Sequence, residues 1–131
     1  MELAEFVKAR LDEDAAAANA GARRVGMPWR AEPQPGTPGG LVIDELGLVG
    51  STGGRYAADH IARHDPARAL REVAAKRKIL WDHTPQERGR RAVCSRCHYG
   101  NVLGANWPCL TMTSLAGIWS DHPDFRAEWT P

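Results

Sequence analysis

Cys94-Ser95-Arg96-Cys97 sets two cysteines three positions apart, and Cys109 follows after eleven intervening residues. These are all the cysteines of a 131-residue chain. A Cys-x2-Cys step turns both sulfurs toward one cation and matches half of a structural zinc site. An odd number of cysteines cannot pair off completely into disulfides. No apolar signal segment opens the chain, because Glu2, Glu5 and Lys8 interrupt it. The expected setting is therefore a reducing cytoplasm, where clustered cysteines favour metal or redox roles. The cysteines constrain what holds such a fold together, and say less about its task.

At this length one domain over residues 1–131 is expected, with room for one modest core that a metal would help to brace. Leu3, Phe6, Val7 and Leu11 recur at three- and four-residue spacing, which predicts an amphipathic helix over residues 2–20 with Gly21 as its stop. Four prolines and three glycines between 28 and 40 predict a loop. Leu41-Val42-Ile43 and Leu48-Val49 flank Asp44-Glu45-Leu46-Gly47 and predict a hairpin, with a further short strand near Trp29. A short helix is expected over Tyr56–His64. Asp65-Pro66 reads as an N-cap followed by proline at the first helical position, opening a helix to about Asp82. Its apolar stripe would be Leu70, Val73, Ala74, Leu80 and Trp81. Thr84–Arg91 reads as a polar connection, and Thr111–Ser120 as a last short helix before a tail that folds back through Phe125 and Trp129. The fold class expected is α+β: a small, mainly helical domain with a short hairpin and a zinc-binding C-terminal segment over 92–131.

Zinc in a closed structural site takes four ligands. Five histidines compete for the place left beside Cys94, Cys97 and Cys109. His60 and His64, at i,i+4 spacing, share one helical face. One of them completing a Cys3His set is the expected arrangement, with a Cys2His2 set of both and Cys94 and Cys97 as the alternative. His83 ends the long helix and is a further candidate. His98 is weaker, since side chains of adjacent residues diverge from Cys97. If residues 110–121 are helical, His122 lies about 20 Å along the axis from Cys109, out of reach of the same ion.

Catalytic patterns are missing from the sequence. Ile61 stands where a His-Glu-x-x-His metalloprotease helix needs its glutamate, and no Gly-x-Ser-x-Gly elbow occurs. Gly50-Ser51-Thr52-Gly53-Gly54 lacks the lysine of a phosphate loop and reads as a turn. No run approaches the roughly 20 apolar residues of a membrane span. With 17 basic and 16 acidic residues the chain has no overall polyanion-binding charge. A local basic stretch remains: Arg77, Lys78, Arg88, Arg90 and Arg91 are the residues that would contact nucleic acid. Five tryptophans are expected mostly in the core, or on a contact surface for a partner. The leading expectation is a non-catalytic module that binds another protein and is stabilised by structural zinc. Alternatives are nucleic-acid binding through the basic stretch, and a metal-dependent hydrolase using His60, His64 and His122.

Several longer motifs carry a resemblance. They are Phe6-Val7-Lys8-Ala9-Arg10-Leu11-Asp12-Glu13-Asp14, His60-Ile61-Ala62-Arg63-His64-Asp65-Pro66-Ala67-Arg68, and Val73-x-Ala75-Lys76-Arg77-Lys78-Ile79. Further on come Cys94-x2-Cys97, Pro108-Cys109 and His122-Pro123-Asp124-Phe125-Arg126-x-Glu128-Trp129. Together they resemble a family of small proteins of unknown function from actinobacteria and their phages, over nearly the whole chain except residues 28–55. The resemblance implies an actinobacterial or phage setting and marks His60, His64, Cys94, Cys97, Cys109 and His122 as one set of interest. It implies no activity. The chain departs from the family pattern after Cys109, where Leu110-Thr111-Met112-Thr113 replaces Pro/Arg-Thr-Leu-Arg.

Overall fold

The computed structural model describes residues 1–24, 27–97 and 106–131. Its elements run α1 (Leu3–Gly21), β1 (Arg30–Pro33), β2 (Gly40–Asp44), β3 (Gly47–Thr52), α2 (Arg55–Arg63), α3 (Pro66–Asp82), β4 (Pro85–Arg88), β5 (Arg91–Cys94) and α4 (Leu110–Ala116). Single 3₁₀ turns follow at Gly117–Trp119 and Ala127–Trp129. The fold is α+β and mainly helical, with small antiparallel sheets. Contacts group into two compact units, one of Met1–Glu13 with Ala74–Pro131 and one of Asp14–Val73. No helix is long and apolar enough to cross a membrane among the described residues.

In the Asp14–Val73 unit, β1, β2 and β3 form one antiparallel sheet in that order. Arg30–Pro33 pairs with Gly40–Ile43, so part of the stretch expected as loop is the edge strand of this sheet. Proline suits that strand because an edge position tolerates a missing N–H. The β2–β3 turn is fastened by Asp44, which is buried. Arg23 pairs with both carboxylate oxygens of Asp44 and reaches the Gly47 carbonyl at 2.9 Å. The Leu46 N–H donates to Asp44 at 2.8 Å. Burial pushes the Asp44 carboxyl up, and the Arg23 hydrogen bonds outweigh it, so the net shift is downward. Helix α2 lies against β2 at a point where a side chain would not fit. A Cβ on Gly40 would come 2.5 Å from the Ala58 Cβ and 3.0 Å from the Arg55 Cα.

Asp65 opens α3 as its sequence position predicts. Its side chain accepts from the Arg68 N–H at 2.6 Å, satisfying one of the otherwise orphaned donors of the first turn. Its other oxygen accepts from the Trp29 N–H at 3.1 Å, which ties the chain before β1 to the helix start. The stripe expected along α3 is only partly buried. Val73 is in the core, but Ala74 is exposed and Trp81 is 82% exposed.

The other unit is organised around Phe6. Leu3, Phe6, Val7 and Leu11 are all fully buried, as the spacing of α1 predicts. The rings of His122, Phe125 and Trp129 stand 5.8, 6.0 and 5.0 Å from the Phe6 ring, so the tail does fold back onto α1. Trp129 is the only tryptophan in the core among the described residues. Arg10, also buried, lies against the His122 ring with contacts of 2.7 and 2.9 Å, and donates to Glu13 at 2.6 Å.

Replacing Asp65 with alanine removes the α3 cap and strands the Trp29 N–H. It is expected to cost about 1–2 kcal/mol, read as a lower urea midpoint, with Asp65→Asn recovering only part of that, because its amide oxygen can accept from one N–H and its NH2 then faces the other.

Candidate metal centre

Residues 84–91 are not an irregular connection. β4 and β5 pair antiparallel, with Pro85 opposite Cys94, Gln86 opposite Val93, Glu87 opposite Ala92 and Arg88 opposite Arg91. Gly89 turns the corner at φ +63°, a conformation that favours glycine. The sequence conceals this hairpin because Gln86, Glu87 and Arg88 are poor strand formers and all of β4 faces solvent. A two-stranded ribbon is marginal by itself. Here Ser95 locks its open end: the hydroxyl accepts from the Thr84 N–H at 2.9 Å and donates to the Asp82 carbonyl at 2.8 Å. The Ser95 N–H also donates to the Thr84 carbonyl at 2.8 Å. That lock holds the end of α3 beside Cys94, and His83 lies in between.

The third segment arrives from the other side of β5. Asn106 bridges Val93, and the Trp107 N–H donates to the Ala92 carbonyl at 3.0 Å. The Trp107–Pro108 peptide is cis, and Cys109 follows as the residue that opens α4. The Cys109 carbonyl accepts from Met112 and Thr113, while its side chain makes no capping bond. Its sulfur is turned instead to the same point as the other two.

His83 Nδ1 lies 3.3 Å from the Cys94 sulfur, 3.5 Å from Cys97 and 3.4 Å from Cys109. The four donor atoms all fall within 4.8 Å of one another. With metal–sulfur bonds of about 2.3 Å and a metal–nitrogen bond of about 2.0 Å at the tetrahedral angle, sulfur and nitrogen would stand about 3.5 Å apart. The nitrogen–sulfur spacing present fits one tetrahedral ion. Cys94 and Cys109 are 0% and 6% exposed, and Cys97 and His83 are half-buried. All three cysteines are free thiols.

The electrostatics favour a cation. Burial pushes the Cys94 thiol up, but the N–H groups of Cys97 and Arg96 donate to its sulfur, and the neighbouring thiols add to them, so its pKa is lowered. These two donors come from the Cys-x2-Cys turn itself. Burial, reinforced by the Cys94 and Cys109 sulfurs, pushes the Cys97 thiol up to about 12. Three sulfurs this close cannot all ionise unless a positive charge sits among them, and an ion would displace the retained protons.

Among the described residues this is the one group of three or more histidine, cysteine, aspartate or glutamate side chains placed to hold an ion. It unites the three cysteines with His83. His60 and His64 stand on and just after α2, within the Asp14–Val73 unit, and are not members of it. α4 does end at Ala116, short of the long helix considered for residues 110–121, yet His122 is engaged with Arg10 and Phe6. His98 lies outside the described residues. Of the basic residues, Arg77 is paired with Asp12 at 2.7 Å, whose carboxyl is lowered by hydrogen bonds from Lys8 and then Arg77. Arg88 and Arg91 face each other across the hairpin, with Arg90 in its turn.

The chain belongs to the Family of unknown function (DUF6221), which it matches over residues 1–131. Neither a curated protein nor a solved structure matches it.

His83→Ala and Cys94→Ser are each expected to abolish tight metal retention. His64→Ala and His122→Ala should leave it unchanged. Metal content per chain after gel filtration distinguishes these variants.

Proposed function

We propose that the protein is a non-catalytic interaction module braced by one structural zinc ion on His83, Cys94, Cys97 and Cys109. The convergence of four donors at tetrahedral spacing carries this reading. Thiolates with one imidazole suit zinc, whereas an iron site with four sulfur ligands would need a further cysteine. A complete four-donor set leaves no position for a reacting water, which favours a structural role. A reducing cytoplasm is the setting in which such thiolates persist. The resemblance of its signatures to actinobacterial and actinophage proteins supports a bacterial or phage origin.

The surface feature that favours a protein partner is Trp81. It stands two residues before His83 and is 82% exposed. It borders a largely apolar groove of about 440 Å³ that Leu80, Ala4 and the stems of Lys8 and Arg77 also line. Asp12 pairs with both cations at 2.8 and 2.7 Å and Glu5 adds a second negative charge to the lining, so the groove offers apolar contact more than charge. An exposed tryptophan on a braced scaffold is a typical binding anchor.

One zinc per purified chain is expected, and a strong chelator should unfold the β4–β5 region. Trp81→Ala should keep the zinc and shift the thermal midpoint little, while losing a protein captured by the wild type. Equal capture by both would remove Trp81 from the interface.

A second reading is favoured by the hairpin tip. Arg88, Arg90 and Arg91 cluster around a two-residue turn, and Lys78 is exposed on α3. A rigid cationic tip of this kind suits nucleic-acid phosphates. If that reading holds, Arg90→Ala and Arg91→Ala should each lower the slope of log affinity against log salt by roughly 1 on a duplex oligonucleotide. Absence of binding at low salt would eliminate it.

A further inference from the structure

The histidine pair on α2 is left unused by the cysteine cluster, and its geometry is specific. His60 lies in the last turn of the helix and His64 is its C-cap. Both are exposed, and their ring centroids are only 4.4 Å apart with the planes inclined by 40°. His64 Nδ1 is 2.9 Å from the His60 carbonyl oxygen. A carbonyl only accepts, so Nδ1 carries the proton and donates. In neutral His64 the lone pair is then on Nε2. Ligating histidines typically have this arrangement, the far ring nitrogen fixed by a backbone carbonyl so that the near one is aimed and basic.

From these observations we infer that His60 and His64 form a second cation site, for a divalent transition ion of borderline softness such as nickel, copper or zinc. An ion about 2 Å from a ring nitrogen lies about 3 Å from that ring's centroid. Two centroids 4.4 Å apart then subtend about 90° at the ion. That is the cis angle of a tetragonal or octahedral centre and narrower than a tetrahedral one, which favours nickel(II) or copper(II). The position adds to the attraction. The pair closes the C-terminal end of α2, where the His60, Ile61 and Arg63 carbonyls accept from His64 Nδ1, the His64 N–H and Arg68, and the aligned peptide dipoles give that end the negative pole of the helix. His60 also lines a surface groove of about 700 Å³ in which Asp59 offsets Arg63, so no net positive charge is concentrated there. Water fills the remaining positions, and the site is open where the cysteine cluster is closed.

The inference does not depend on zinc being the ion of the cysteine cluster. The test uses the full, tag-free chain, first given one equivalent of zinc and then titrated with Ni²⁺ by calorimetry and absorption spectroscopy. One further Ni²⁺ per chain is expected, with the weak visible bands of nitrogen and oxygen ligation and with zinc retained. His60→Ala and His64→Ala should each weaken that binding by roughly ten-fold or more. Both residues are exposed, so the variants should fold, and circular dichroism checks it. Equal Ni²⁺ affinity in the wild type and both variants would overturn the proposal. So would intense thiolate-to-nickel absorption with release of zinc, which would place the nickel on the cysteines. If the chain takes up no zinc at the outset, the zinc reading fails, while loss of nickel in the histidine variants still identifies the pair.

Discussion

Three sulfurs converge on a single imidazole nitrogen, and they can all ionise there only around positive charge. Backbone N–H donors lower the Cys94 thiol, while burial and the neighbouring sulfurs push the Cys97 thiol up. A cation resolves the conflict by ionising all of them together. Much else in this half of the chain would be braced by it. β4 is exposed along its whole length, so little buried apolar surface holds the ribbon down. The apparent free energy of structural zinc, about 10–16 kcal/mol in zinc-finger peptides, far exceeds what four residue pairs of ribbon provide. An ion bound there would substitute for core, as small domains commonly require.

Elsewhere most buried polar groups are paired directly, although among the described residues the buried Arg10 Nε has no hydrogen-bond partner. Asp44 and Asp65 are both buried, and each is used twice: Asp44 for a turn and an arginine, Asp65 for a helix cap and the Trp29 N–H. Arg10 is enclosed by Phe6 and His122 and still reaches Glu13. A buried ion that retains such partners costs little, whereas removing one partner leaves an unpaired charge. These contacts fix where the chain turns more than they add net stability.

Periodicity made the helices and the β2–β3 hairpin legible, because local apolar spacing and cap chemistry decide them. Leu3, Phe6, Val7 and Leu11 face the core as their spacing requires, and Asp65-Pro66 marks a true helix start. β4 and β5 were not legible, since their strands are polar and their pairing is imposed by the Ser95 lock and by the cluster. Trp81 illustrates the same limit: its hydrophobicity suggests core, yet its place at the helix end leaves it in solvent. For the site, the Cys-x2-Cys step and Cys109 were readable from spacing. His83 was readable only as one candidate among five, because its position depends on the concealed hairpin. The signal that would have singled it out is the Gly89 turn midway between His83 and Cys94, which folds the two ends together.

The cluster and the tail differ in how far the chain must close on itself. His83 and Cys109 are 26 residues apart, whereas Arg10 and His122 are 112 apart. Closing the longer loop costs about 1 kcal/mol more in chain entropy. Ligation can thus proceed within a short, nearly self-contained stretch, before the ends of the chain find one another. Assembly would begin locally at the thiols and finish when the Phe125 and Trp129 rings settle onto Phe6, so the clasp is the contact that joins the two ends of the chain.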